Sequence, residues 1–508
     1  MLKHLRRIIA VLSLVAVTLL FVDFTGQAAL HWAWLARIQL VPALLAVNAL
    51  AVVFLLLATV VFGRIYCSVI CPMGIFQDVI IRVRHWLAPV RKKRPWLYRY
   101  EKARRRWRVG FLALFAVLMI LGLLGVVAAS LGGILDPYSA YGRIAGQFFT
   151  PVWRAGAAPV LDVAADGGVY LADRYPAPYA FSLAVTAVAG LTAVLVVVMA
   201  WRTGRGYCNT VCPVGTLLGL VSRFSLLRPV IDTDKCNRCG SCGRKCKARC
   251  IDTKNHTIDY SRCIVCFDCL NNCSQGAISY RLRRRTPEHT TETTGAAEGR
   301  RAFLVGGTIM AGALALRAAD KVTDGGLAPL KKKQPHKKAS QTVPAGAISL
   351  AHLRSHCTAC QLCISECPEG VLRPSSDPSS FMQPVMRFTD GYCRPECTRC
   401  SQICPAGAIQ PVDTATKSAT KIGTAVVDAS ACISAAYGQT CGNCSRHCPA
   451  GAIEMIKTEN GNLRPVVDEA RCIGCGACEY HCPVGTAGQL SAKCAAIHVE
   501  GVESHRNI

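Results

Sequence analysis

Cysteine recurs through this chain in quartets, and no other feature of the sequence limits the fold so closely. Cys236, Cys239, Cys242 and Cys246 are spaced C-x-x-C-x-x-C-x-x-x-C, and Cys263, Cys266, Cys269 and Cys273 repeat that spacing. Four more quartets lie further along. Cys357, Cys360, Cys363 and Cys367 are regular; Cys393, Cys397, Cys400 and Cys404 have one extra residue in the first gap; Cys432, Cys441, Cys444 and Cys448 have a long first gap; Cys472, Cys475, Cys478 and Cys482 are regular again. Each of these last four ends in Cys-Pro, and two continue Ala-Gly-Ala-Ile, the opening of a short closing strand. Three thiolates two residues apart wrap one face of a [4Fe–4S] cube, while the fourth cysteine reaches the other cluster of a pair. On that logic Cys236, Cys239, Cys242 and Cys273 hold one cluster, and Cys263, Cys266, Cys269 and Cys246 another. The sixteen later cysteines make four more cubes, with the crossings between them left open. Zinc is the rival ligand, but its sites use isolated cysteine pairs or mix in histidine. Cys250 and Cys494 are left over, and Cys250 reads as structural.

The second constraint is apolar length. Residues 8–22, 40–63, 109–135 and 180–201 carry no charge, and the last three reach the roughly 20 residues a spanning helix needs. The first is shorter. A cleaved signal peptide is its rival, yet no small-residue cleavage site stands out, and Trp32 and Trp34 read as interfacial anchors. Residues 82–108 hold twelve Lys/Arg against Glu101 alone, whereas the stretch expected as the next loop, 136–179, holds three arginines against four aspartates. The positive-inside rule therefore puts the basic loop, the N-terminus and the segment after the fourth helix in the cytoplasm. The basic run reads as a topology determinant on anionic lipid.

An internal repeat sits on this topology. Gly63-Arg64-Ile65-Tyr66-Cys67-Ser68-Val69-Ile70-Cys71-Pro72-Met73-Gly74 matches Gly204-Arg205-Gly206-Tyr207-Cys208-Asn209-Thr210-Val211-Cys212-Pro213-Val214-Gly215. Each copy follows the second helix of a hairpin, so both C-x-x-x-C-P motifs face the cytoplasmic side. A lone cysteine at such a boundary is most simply a small buried hydrophobe. Two copies agreeing at Gly, Arg, Tyr, Cys, Cys, Pro and Gly favour function. Cys67, Cys71, Cys208 and Cys212 could ligate an additional cluster, form a redox disulfide or dock a partner.

Between the two cysteine-rich regions, residues 280–341 read as a hinge. Arg300-Arg301-Ala302-Phe303-Leu304 and the uncharged run to residue 316 resemble a twin-arginine export signal, here internal. An amphipathic docking helix is the bland alternative, and Lys331, Lys332 and Lys333 follow closely. The formal charge of +27 would ordinarily raise nucleic-acid binding. Six clusters of about −2 each would offset roughly twelve of those charges, and no nucleic acid is expected. There is no C-x-x-C-H for covalent haem, no G-x-G-x-x-G and no H-E-x-x-H. The chain is thus expected to move single electrons and to borrow its substrate chemistry from quinone or from partners.

Residues 1–285 resemble the NapH-type membrane ferredoxin of quinol dehydrogenase complexes, and residues 295–500 the NapG/MauM-type four-cluster ferredoxin. MauN is similar to the first half. Lys247 and Ser274 depart from the proline usual after the last cysteine of bacterial ferredoxins. The resemblance implies a fusion with an α-helical membrane domain, four helices plus a possible fifth, and appended α+β ferredoxin-like domains. Expected boundaries are 1–225 for the membrane domain, 226–285 for a two-cluster domain, 286–345 for the linker and 346–508 for the four-cluster domain. It further implies electron transfer between the quinone/quinol pool and a periplasmic reductase or cytochrome at the bacterial inner membrane, with the C-terminal domain periplasmic. A membrane ferredoxin for redox sensing or metalloenzyme maturation is the alternative. Four additional clusters argue against it, since a sensor needs one labile centre.

Overall fold

The computed structural model describes residues 2–87, 98–166, 182–283, 323–324, 328–329, 333–458, 461–485 and 493–508. The arginine pair at 300–301 and the apolar run after it lie outside the described residues.

Three described helices are long and apolar enough to cross a membrane: α1 (Leu2–Val22), α7 (Arg105–Leu123) and α11 (Leu183–Thr203). The first apolar stretch is thus extended to 21 residues by including Lys3, Arg6 and Arg7 in its opening turns. After α2 (Gln27–Arg37), the stretch 40–63 does not form one span. It divides into α3 (Leu40–Leu45) and α4 (Ala49–Phe62). Between them Val47 adopts a left-handed φ of 53°, which breaks the helix, and the Asn48 side chain restarts it by accepting from the Ala51 N–H at 3.1 Å. The stretch 109–135 also departs from a single helix: α7 stops at Leu123, and a short α8 (Ser130–Gly133) follows.

A further difference lies in 136–179, expected as a loop. It is helical from Pro137 to Asp166, as α9 (Pro137–Ile144), a π-turn over Ala145–Phe149 and α10 (Thr150–Asp166). Asp136 caps α9 by accepting from the Ser139 N–H, with Pro137 at the first helical position. Arg143 lies fully buried in that helix. Its charge suggests solvent in the sequence, but its guanidinium donates to the carbonyls of Gly133, Ile134, Thr358 and Ala359.

Each repeat motif follows an apolar helix, α4 or α11, and forms a short helical turn and then another helix: α5 (Tyr66–Val69) with α6 (Pro72–Leu87), and α12 (Gly206–Thr210) with α13 (Pro213–Val221). Beyond them, β1 (Leu227–Ile231) pairs antiparallel with β4 (Ile278–Leu282), and β2 (Ile251–Asp252) with β3 (Thr257–Ile258). The C-terminal region has its own apolar core, centred on residues such as Phe388, Ile422, Ala452 and Val499. Its strands pair antiparallel as Leu372–Pro374 with Pro384–Met386, Ile453–Lys457 with Leu463–Val467, and Thr420–Val427 with Ile497–Asn507.

The two cysteine-rich regions dock at opposite ends of the same helices. At one end, Lys3 of α1 pairs with Asp268 at 3.2 Å, the Leu226 N–H donates to Val60 of α4, Arg108 of α7 donates to Ser261, and the Arg205 N–H after α11 donates to Lys247. At the other, Arg399 donates to the Thr25 carbonyl beyond α1, the Ala129 N–H beyond α7 donates to Arg354, and Val185 of α11 packs with Ala359 and Met382.

Candidate metal centres

The residues shared by the two repeats each have a physical task. Gly63 and Gly204 end α4 and α11 with φ of 76° and 71°, a conformation that disfavours any side chain. A Cβ on Gly204 would also collide with the Lys247 carbonyl. Pro72 and Pro213 begin the next helices. Gly74 and Gly215 let those helices press on the carbonyls of Cys67 and Cys208. The arginines cross over: Arg64 donates to the Cys208 carbonyl at 3.3 Å, and Arg205 to the Cys67 carbonyl at 2.9 Å. The motifs are therefore related by a pseudo-twofold axis, with Cys67, Cys71, Cys208 and Cys212 all buried around it.

In the first cysteine-rich region, Cys236, Cys239, Cys242 and Cys273 line one largely apolar cavity with Ile231 and Ile278. Cys246, Cys263, Cys266 and Cys269 line a second with Ile251 and Ile264. The fourth cysteine of each quartet thus stands with the other quartet's first three. Cys250, read from sequence as structural, lines that second cavity too, its sulfur 3.6 Å from that of Cys246. Hydrogen bonding from the Cys250 thiol brings Cys246 down to about 7.

In the C-terminal region the structure again groups cysteines of different quartets. Cys404 lies within electrostatic reach of Cys357, Cys360 and Cys363, and Cys367 within reach of Cys393 and Cys400. Cys432, Cys441, Cys444 and Cys482 line a common cavity, while Cys448 approaches Cys475 and Cys478, which also lie near Cys472. The grouping runs within the first two quartets and within the last two. Burial pushes the Cys360 and Cys475 thiols up to about 12. Metal would have to displace their protons, since the thiolate is the ligand. Lys417 sits beside Cys393, Cys397 and Cys400; burial alone would lower its ammonium, but the three sulfurs raise it. Four sulfurs around a largely apolar cavity, or clustered beside a buried cation, fit an anionic [4Fe–4S] cube.

Sequence reasoning missed the polar joints. Asp78 of α6 binds Arg205 at 2.8 Å, Lys247 at 2.9 Å and Arg6 at 3.3 Å. Burial alone would raise its carboxyl, but those cations hold it far below the usual carboxylate range. Lys247, which stands where proline is usual, also reaches Asp268 at 3.4 Å. The one available signal was a lone carboxylate in an otherwise apolar or basic helix. At the far end the Ser139 hydroxyl, which donates to Asp136, meets the Thr358 hydroxyl at 2.9 Å, and Gln147 meets Gln361 at 3.2 Å.

Helices of spanning length joined to paired cysteine quartets define a membrane iron–sulfur protein of the polyferredoxin class. A family model described as a 4Fe-4S binding domain matches residues 44–95 and 184–231, the two repeat copies. A second, a 4Fe-4S dicluster domain, matches 439–486. The methylamine utilization ferredoxin-type protein MauM of Methylophilus methylotrophus is 34% identical over 168 residues, 31% of this chain and 73% of MauM. MauN of Paracoccus denitrificans is 29% identical over 208 residues, 40% of this chain and 54% of MauN. The ferredoxin-type protein NapH of Haemophilus influenzae is 24% identical over 242 residues, 46% of this chain and 67% of NapH. No solved structure matches the chain. The chain belongs to the NapH/MauM-type polyferredoxins, although it spans only about half the length of the Paracoccus MauN.

Proposed function

We propose that the chain joins a NapH/MauN-type membrane half to a NapG/MauM-type half, and passes electrons between the quinone pool and a partner oxidoreductase, such as a periplasmic reductase or cytochrome. The six quartets hold six [4Fe–4S] clusters, paired across quartets as their sulfurs are grouped. When bound, such clusters supply one-electron transfer at potentials tuned by charge, hydrogen bonds and exposure. The chain's own residues supply the rest. The cysteines bind, Lys417 and Lys247 offset negative charge, and Arg143 fixes the loop between Cys357 and Cys360 against the membrane helices through the Thr358 and Ala359 carbonyls.

The observation that carries this reading is the docking of the two cysteine-rich regions at opposite ends of α1, α7 and α11. A membrane crossed by those helices separates the regions. By the positive-inside rule the end bearing Lys3, Arg6, Arg7 and Arg105 is cytoplasmic, so the C-terminal region is periplasmic. The segment at 300–316 supplies an export route for it. A reporter fused after Ile508 should then be periplasmic and one fused near Tyr280 cytoplasmic, and lysine at both Arg300 and Arg301 should strand the C-terminal reporter inside. A cytoplasmic C-terminal reporter in the unaltered chain overturns the sidedness. Menaquinol that fails to reduce the purified, loaded protein overturns the quinol role.

A further inference from the structure

The pseudo-twofold axis between the repeats carries a centre that the six quartets do not account for. All four sulfurs of Cys67, Cys71, Cys208 and Cys212 are buried, and Cys212 lies within electrostatic reach of the other three. Hydrogen-bond donors converge on them. Arg64 Nη2 stands 3.8 Å from Cys67 Sγ, Arg205 Nη1 3.8 Å from Cys208 Sγ, Gln77 Nε2 3.1 Å from Cys208 Sγ, and the Gly215 N–H 3.3 Å from Cys212 Sγ.

Charge bears on the state of these sulfurs. Arg64 is fully buried, yet its partners are the Asn209 side chain, the Ser261 and Cys208 carbonyls and Cys67, with no carboxylate among the described residues. Arg205 does have a carboxylate, but Asp78 is shared with Arg6 and Lys247. The Nε of Arg64 and Nη2 of Arg205 are buried without a hydrogen-bond partner. A buried cation is stabilised by a nearby anion, because the interior does not solvate it. Neutral thiols or disulfides would leave Arg64 with no anion beside it, and four bare thiolates side by side would repel one another. A metal–sulfur cube held by four thiolates removes both conflicts, since its net charge of about −2 is spread over the cluster.

We propose that Cys67, Cys71, Cys208 and Cys212 hold a seventh [4Fe–4S] cluster, bound across the two repeats and flanked by Arg64 and Arg205. The centre lies where α4 and α11 meet the first cysteine-rich region: Gly63 abuts Val265, and Arg64 donates to Ser261, on either side of Cys263. The proposal rests on the iron–sulfur reading of the chain but fails separately from it.

The test compares the full chain with Cys67→Ser/Cys208→Ser, both purified anaerobically and reconstituted alike with iron and sulfide. The expected result is about 28 iron and 28 acid-labile sulfide in the unaltered chain, about four fewer of each in the variant, and loss of one reduced-state paramagnetic signal. Equal iron near 24 in both overturns the proposal while leaving the six quartets intact; little or no iron in either overturns the wider reading as well. Should the variant not insert, the unaltered chain still decides the matter. Zinc at these positions, or Cys67, Cys71, Cys208 and Cys212 recovered as disulfides by mass spectrometry of the anaerobic protein, overturns the site; 28 iron with no such disulfide supports it.

Discussion

Asp78→Asn is the sharpest test of how the first cysteine-rich region is held to the helices. The side chain keeps its shape and an acceptor oxygen but loses its charge, leaving Arg205, Lys247 and Arg6 facing one another. Removing one partner of a buried pair costs about 3–5 kcal/mol. The Asp78 side chain is 16% exposed, so the lower end applies, about 3 kcal/mol. At about 1.4 kcal/mol per tenfold, that is roughly a hundredfold rise in local opening. Hydrogen exchange of the intact, loaded protein in detergent reads this directly, through the Arg205 N–H bonded to Lys247 and the Leu226 N–H bonded to Val60. These amides should exchange about a hundredfold faster, while amides in the middle of α1 are unchanged. Asn at the exposed Asp234 is the control. The pH dependence has a defined sign. A carboxyl depressed in the folded state stabilises fully above its unfolded value of about 4 and loses that contribution as pH falls below it. The joint should therefore hold steady from neutral pH to about 5 and loosen only in stronger acid, and the Asn variant should lose that acid sensitivity. Equal exchange in both proteins at pH 7 would refute the reasoning, because the joint would then rest on apolar contact alone.

Serine at Cys404 should remove the centre completed by Cys357, Cys360 and Cys363, while the centre of Cys393, Cys397 and Cys400 persists through Cys367. Iron should fall by about four, and loss of the Cys393 centre instead would reverse the crossing. Valine at Gly142, where even a Cβ would stand 2.6 Å from the Cys360 carbonyl and 2.7 Å from the Phe21 ring, should undock the C-terminal region and open its loops to protease. Alanine at Gly146, where a Cβ would lie 3.8 Å from the Gln361 side chain, should leave cleavage unchanged.

Much of the site is legible because its chemistry is local. Quartet spacing dictates which three cysteines wrap one face of a cube, and the Gly-Arg-x-Tyr-Cys repeat announces a paired structure before any contact is known. The crossing among the four later quartets is not legible, since the fourth cysteine is brought in by tertiary packing that spacing does not encode. Charge misleads in two places. Arg143 and Asp136 read as loop residues because a sequence gives no sign of the carbonyls of Gly133 and Thr358 that accept from the guanidinium. Lys247 reads as a lapse from the usual proline, yet it supplies a cation to Asp78 and Asp268. Conversely, the division of 40–63 had one visible cause: Asn48, which caps α4, interrupts an otherwise apolar stretch.

The proposed function leaves one physical gap, and it can be probed. At about 1.5 Å per residue, the 21 residues of α1 and of α11 extend roughly 30 Å, the thickness of the hydrocarbon core. The two cysteine-rich regions sit at either end of that length, and the axis of the repeats lies at the end bearing Cys236 to Cys273. Helices α1, α4, α7 and α11 contain one histidine, His4, at the extreme of α1, so they offer no histidine pair for an intervening haem. A carrier that moves within the bilayer is the chemistry that fits such a gap, and quinone is one. In sealed, quinone-free vesicles, a membrane-impermeant reductant supplied outside should therefore reduce only the centres on that face, seen as partial bleaching of the visible absorption. Adding menaquinone to the bilayer should extend the bleaching to the remainder. Complete bleaching without quinone would show that the helices conduct on their own, and the two ends would then belong to a single wire.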